Sequence, residues 1–130
     1  MLSLLLAFTL ASGAGAPSQQ ADFTEATEWV RLVDAERWDD SWAAAGAFFK
    51  SQITQDRWAS AVAPVRKPLG EVSSRVLQSV TKTQTLPGAP DGVYEVLEFH
   101  TRFANKASAT ETVVLTRETT GWKVVGYFIK

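Results

Sequence analysis

The chain has no cysteine, one histidine and one methionine in 130 residues. Without thiols it forms no disulfides, thiolate metal sites or cysteine nucleophiles, and a single imidazole excludes a multi-histidine metal centre. An excess of charge of one sign is missing too. Thirteen basic and fourteen acidic residues intermingle to a formal net charge of −1, so no basic stripe exists to neutralise a phosphate backbone and nucleic acid is not an expected partner. The longest apolar block, Leu2 to Ala11, is shorter than the about 20 residues that cross a bilayer. No nucleophile triad or glycine-rich phosphate loop can be traced, and no cofactor or metal is expected.

What the chain does have is aromatic area. Five tryptophans and seven phenylalanines supply the core of one compact domain in a chain too short for two. The first residues, MLSLLLAFTLASGAGAPSQQA, pass from an apolar block into small residues and then polar ones, the pattern of a secretory leader, although the basic residue that usually precedes such a block is missing. Cleavage after Ala14 is favoured over cleavage after Ala16, because Pro17 would restrict the backbone at the second site. Segment 1–16 is thus read as a signal peptide, 17–21 as a flexible linker and 22–130 as a single domain, exported to the periplasm or beyond with no membrane span in the mature chain.

From Asp22 the apolar residues Phe23, Ala26, Val30 and Val33 recur at helical spacing, with Trp29 beside them. A second helix is expected across WDDSWAAAGAFFKSQI, presenting Trp38, Trp42, Ala45, Phe49 and Ile53, with Asp39, Asp40 and Ser41 in its first turn. Thr54 reads as the N-cap of a third helix carrying Trp58, Ala61, Val62 and Val65, with Pro64 making its end irregular. After Gly70 the period changes to two. The turns LPGAPDG, NKASA and TTG divide the remainder into strands at about Val72–Thr85, Val93–Ala104, Thr110–Glu118 and Trp122–Lys130. The expected fold is α+β: three N-terminal helices on one face of a curved four-stranded antiparallel sheet.

Parity assigns the faces. In the second strand Leu97, Phe99 and Phe103 point to the helices, with Glu95 and Thr101 among them, while Tyr94, Val96, Glu98, His100 and Arg102 point outward. The acid–histidine–arginine ladder in EFHTRFANK therefore lies on a solvated face, where such pairs contribute about 0.2–1 kcal/mol and no chemistry. Glu111, placed inward near Thr101, is the more informative carboxylate. Desolvation would raise its pKa unless a cation such as Arg75 or Arg66 reaches it, so Arg66, Arg75 and Glu111 form a candidate ligand site or structural polar site. In the last strand a two-residue turn would send Trp122, Val124, Gly126 and Phe128 inward and Lys123, Val125, Tyr127 and Ile129 outward. Tyr94, Val125, Tyr127 and Ile129 then make an apolar outer strip, a candidate interface for a homodimer through the sheet.

Taken together, SWAAAGAFFK (Ser41–Lys50), Trp58, RKPLG (Arg66–Gly70), Ser74-Arg75, LPGAPDGVYEV (Leu86–Val96), TRFANK (Thr101–Lys106), ETVVL (Glu111–Leu115) and GWKVVGYFIK (Gly121–Lys130) resemble the DUF4019 family of exported bacterial proteins. That resemblance implies a cystatin-like or NTF2-like cone and no defined reaction. Its pattern falls on Arg66, Gly70, Arg75, Gly92, Tyr94, Glu111, Trp122, Gly126 and Tyr127, and not on His100. The function expected is a non-enzymatic module binding a protein or a small apolar ligand. The alternative is an NTF2-like isomerase or hydratase with Glu111 as general base and Tyr94 or Tyr127 as donor to an oxyanion.

Overall fold

The structure is a computed structural model and describes residues 16–130, with side chains from Phe23 on; the cleavage sites expected at Ala14 and Ala16 lie at or beyond that limit. The elements are α1 (Ala16–Asp34), α2 (Trp38–Ala44), α3 (Ala47–Gln52), α4 (Gln55–Arg66), a 3-10 turn (Lys67–Leu69), β1 (Val72–Thr83), β2 (Tyr94–Phe103), β3 (Lys106–Glu118) and β4 (Gly121–Ile129). Helix α1 starts before Asp22, so residues 17–21 lie within it. The fold is α+β, with helices against a four-stranded antiparallel sheet. No helix among the described residues is long and apolar enough to cross a membrane.

The segment expected as one second helix is two. Ala45 and Gly46 are extended, and the Gly46 N–H donates to the Val124 carbonyl at 2.7 Å. A Cβ on Gly46 would stand 2.9 Å from Glu118 Oε2 and 3.1 Å from Lys123 Cβ and Val125 Cγ1, so only glycine lets the chain come this close to β4. Glu118 then accepts the Ala47 N–H, the first amide of α3, at 2.9 Å. Thr54 caps α4 as its sequence position requires, its hydroxyl accepting from the Arg57 N–H.

Ala26, Trp29, Val30 and Val33 of α1 are buried against Leu97, Phe99, Val113, Leu115 and Val124 of the sheet. The tryptophans also satisfy their polar edges. Trp29 Nε1 donates to the Ser41 carbonyl at 2.8 Å and Trp58 Nε1 to Ser41 Oγ at 2.9 Å, so one buried serine joins α2 to α1 and α4 without an orphan donor.

The strands follow one another in the order β1-β2-β3-β4, an open meander with β1 and β4 as edges. Across β2–β3 odd positions face odd positions, with Leu97 opposite Val113 and Phe99 opposite Glu111. The first half of β4 also keeps the expected parity, Trp122 lying opposite Arg117 and Val124 opposite Leu115. Beyond that point the expectation fails. A register shift at Val125 sets Gly126 opposite Val114, Tyr127 opposite Val113 and Ile129 opposite Glu111. Tyr127 and Ile129 therefore point inward and Phe128, 63% exposed, points out. The extra residue of a bulge reverses every side chain after it, which a strict period of two cannot anticipate.

The outer face has its own cover where β2 begins. The loop after β1 folds back, with the Gly92 N–H on the Gln84 carbonyl and the Tyr94 hydroxyl on the Pro90 carbonyl. Tyr94 and Val114, both on outward positions, are buried beneath it.

Candidate functional site

The inner carboxylate and its neighbours form one ion-pair network. Arg75 extends from β1 and donates through Nε to Glu111 Oε1 at 2.7 Å and through Nη1 to Asp34 Oδ2 at 2.9 Å. Its remaining nitrogen, Nη2, reaches Asp34 Oδ1 at 3.0 Å and Glu111 Oε2 at 3.3 Å. Arg66, at the end of α4, donates to Asp34 Oδ1 at 3.1 Å and to the Gly70 carbonyl at 2.6 Å, and its guanidinium stacks 4.6 Å from the Phe103 ring. Thr101 donates to Glu111 Oε1 at 2.6 Å and the Tyr127 hydroxyl donates to Glu111 Oε2. Two acids and two arginines balance in charge. An acid in the last turn of α1 opposes the helix dipole, and the two arginines explain why Asp34 is there.

Burial works against the charge on Arg75, but the hydrogen bonds and charges of Asp34 and Glu111 outweigh it and raise the guanidinium pKa further. Burial also pushes the Tyr127 phenol above its ordinary range, and the negative charge and hydrogen bond of Glu111 add to the rise. Glu111 is fully buried, and both of its oxygens are engaged by Arg75, Thr101 and Tyr127. A general base needs a lone pair within reach of a substrate proton. This carboxylate instead ties the four strands together, and Asp34 extends the network through Arg75 and Arg66 to α1 and α4.

His100 lies on the outer face, its Nε2 3.3 Å from Ser108 Oγ, with Glu98 and Arg102 exposed beside it. The apolar outer strip drawn through Tyr94, Val125, Tyr127 and Ile129 is not there. Tyr94 is under the loop, Val125 is the bulged residue packed at Gly46, and Tyr127 meets the Trp29 ring at 5.4 Å inside the core.

The bulge creates a different surface. Lys130 exchanges both backbone hydrogen bonds with Thr110 of β3, so the alternating amides of Ile129 and Tyr127 turn to the open edge of β4. A groove of about 280 Å³ on the helix side of this edge is lined by Trp58, Ala61, Val62, Val65, Tyr127 and Ile129, with Phe128 at its lip. Another of about 300 Å³ on the outer side is lined by Phe48, Leu86, Pro87, Ala89, Val114 and Gly126, again bordered by Phe128. Among the described residues, an unpaired length of strand thus runs between two apolar grooves. Among the described residues no group of histidine, cysteine, aspartate or glutamate could hold a metal ion.

A family model described as "Protein of unknown function (DUF4019)" matches residues 25–127. The chain belongs to the DUF4019 family. No curated protein matches it. The span shared with other DUF4019 proteins contains every member of the ion-pair network, from Asp34 to Tyr127, and the Gly46 contact with β4. Of the network, sequence reasoning named Arg66, Arg75, Glu111 and Thr101 but missed Asp34 and the inward turn of Tyr127. Asp34 had one available signal, an acid placed where a helix end disfavours it.

Proposed function

We propose that this DUF4019 domain is a non-catalytic binding module that accepts an extended, apolar segment of another polypeptide on the open edge of β4. The observation that carries the reading is the pair of edge-facing residues, Tyr127 and Ile129, set between two apolar grooves. An added strand gains main-chain hydrogen bonds from such an edge, and its alternate side chains fall to opposite faces. Here one set meets the groove beside α4 and the other the groove beneath the β1–β2 loop. A second copy of the chain suits this edge less well, because a merged sheet would bring two helical layers to the same face beside α3 and α4.

The engaged state of Glu111 favours this reading over an isomerase or hydratase, which would have to strip that carboxylate of Arg75, Thr101 and Tyr127 first. The leader pattern in residues 1–16 supports a mature domain outside the cytoplasm, a point that the mass of the protein from its native host would test. The bulges in β1 and β4 support the reading of a cystatin-like or NTF2-like cone, because a bulge bends its strand. Titration of the labelled domain with a terminally blocked hexapeptide of alternating valine and leucine, flanked by lysines for solubility, tests the binding reading. Resonances of Tyr127, Phe128 and Ile129 should shift together, and Phe128→Lys, which places a charge on the edge, should abolish the shifts. Shifts confined to the other edge, β1, or none at all, would contradict it.

A further inference from the structure

Glu95 stands on the inner face of β2, opposite Leu115, and is 3% exposed. Its Oε2 is enclosed and has no hydrogen-bond partner among the described residues. Its Oε1 lies 3.8 Å from Lys82 Nζ, beyond hydrogen-bond range. An enclosed carboxylate oxygen without a donor carries its desolvation cost uncompensated, in contrast to Glu111, whose oxygens are all engaged. The carboxylate also borders a concavity of about 430 Å³, lined by Lys82, Tyr94, Arg117 and Trp122 among others. Every lining residue comes from the sheet or the β1–β2 loop. This is the end of the inner face that the helices leave uncovered.

Around that concavity Lys82 makes a long ion pair with Glu95 Oε1, and Arg117 is the charge left over. Arg117 stacks its guanidinium over the Trp122 ring at 5.9 Å and takes part in no ion pair among the described residues. Leu115 lies opposite Glu95, so Arg117, two positions further along β3 and on the same face, is a diagonal neighbour of Glu95 at a spacing of about 7–8 Å. A simple cation would meet Lys82 and Arg117 as like charges. A simple anion would leave the Glu95 oxygen without a donor and add repulsion to it. A ligand with both an ammonium and a carboxylate satisfies both ends.

We propose that this concavity binds a small zwitterion of the α-amino-acid class, with its ammonium donating to the Glu95 carboxylate, its carboxylate held by Arg117 and Lys82, and an aromatic or aliphatic side chain packed on Trp122. The indole already stacked with Arg117 gives that side chain a flat apolar wall. The site shares no lining residue with either groove at the β4 edge, so each proposal can fail without the other.

Three probes of one shape separate the requirements: L-phenylalanine, 3-phenylpropionate, which lacks the ammonium, and phenethylamine, which lacks the carboxylate. Followed by the Trp122 indole and Glu95 amide resonances at millimolar concentration, L-phenylalanine should bind at least about 10-fold more tightly than either analogue, the equivalent of one good charged contact. Glu95→Gln should remove the advantage over 3-phenylpropionate alone, and Arg117→Gln the advantage over phenethylamine alone. Unchanged circular dichroism confirms that each variant is folded, and two variants keep the test open if one is not. Equal binding of all three probes, or no response of either resonance to L-phenylalanine, overturns the proposal.

Discussion

Arg75 holds Glu111 with one side of its guanidinium and Asp34 with the other, and neither acid has another cation of comparable reach except Arg66 on Asp34. Arg75→Met should therefore cost about 3–5 kcal/mol in urea denaturation, since it strands a buried carboxylate. The exposed pair Arg37–Asp40 is the control, and Arg37→Ala should change stability by no more than about 1 kcal/mol. Equal effects would show that the network is not the anchor described. Tyr127 gives a pH signature. Its folded pKa is raised above the unfolded value of about 10, so its contribution is fully present below that value and is lost as pH rises toward the folded pKa. In Tyr94→Phe, which leaves Tyr127 as the only tyrosine, phenolate absorbance should stay absent above pH ~10 until the chain unfolds. A titration near 10 in the folded protein would contradict its burial against Glu111. At this scale the sequence was informative where one parity rule sufficed: it sent His100 out and Glu111 in. It was blind to Asp34 and Tyr127, whose roles depend on partners distant in the chain.

At the scale of elements, the two misread features meet at one place. The helix break at Gly46 and the bulge at Val125 touch, Gly46 lying against Val125 and donating to Val124. Apolar spacing alone carried Ala45, Phe49 and Ile53 through the break as a single helix, because spacing records which side is buried and not whether the backbone between is helical. Strand identities and the β2–β3 register, by contrast, were legible because alternation and turn residues agree there. Gly46→Val would push three atoms now near contact distance and should cost about 1–3 kcal/mol. The urea midpoint should fall with little change in slope. An unaffected midpoint would mean that α3 does not need its close seat on β4.

Across the whole molecule, the two sheet edges differ in how they are protected. β1 carries two register shifts and exposes Ser73, Ser74, Gln78, Ser79, Thr81 and Lys82, features that discourage pairing. β4 is blocked at Val124 by Gly46 and, among the described residues, open at Tyr127 and Ile129. With the outer strip replaced by a bulge and a covering loop, the isolated domain should sediment as a monomer at micromolar concentration. The central claim, that the end of β4 is an acceptor for an extended segment, is tested most directly by amide hydrogen exchange at Tyr127 and Ile129. In the free domain these two amides should exchange fast beside a slow Phe128, which pairs with Thr112; with the alternating valine–leucine peptide bound they should become protected. Slow exchange at both in the free domain, or no added protection with the peptide, would contradict the account.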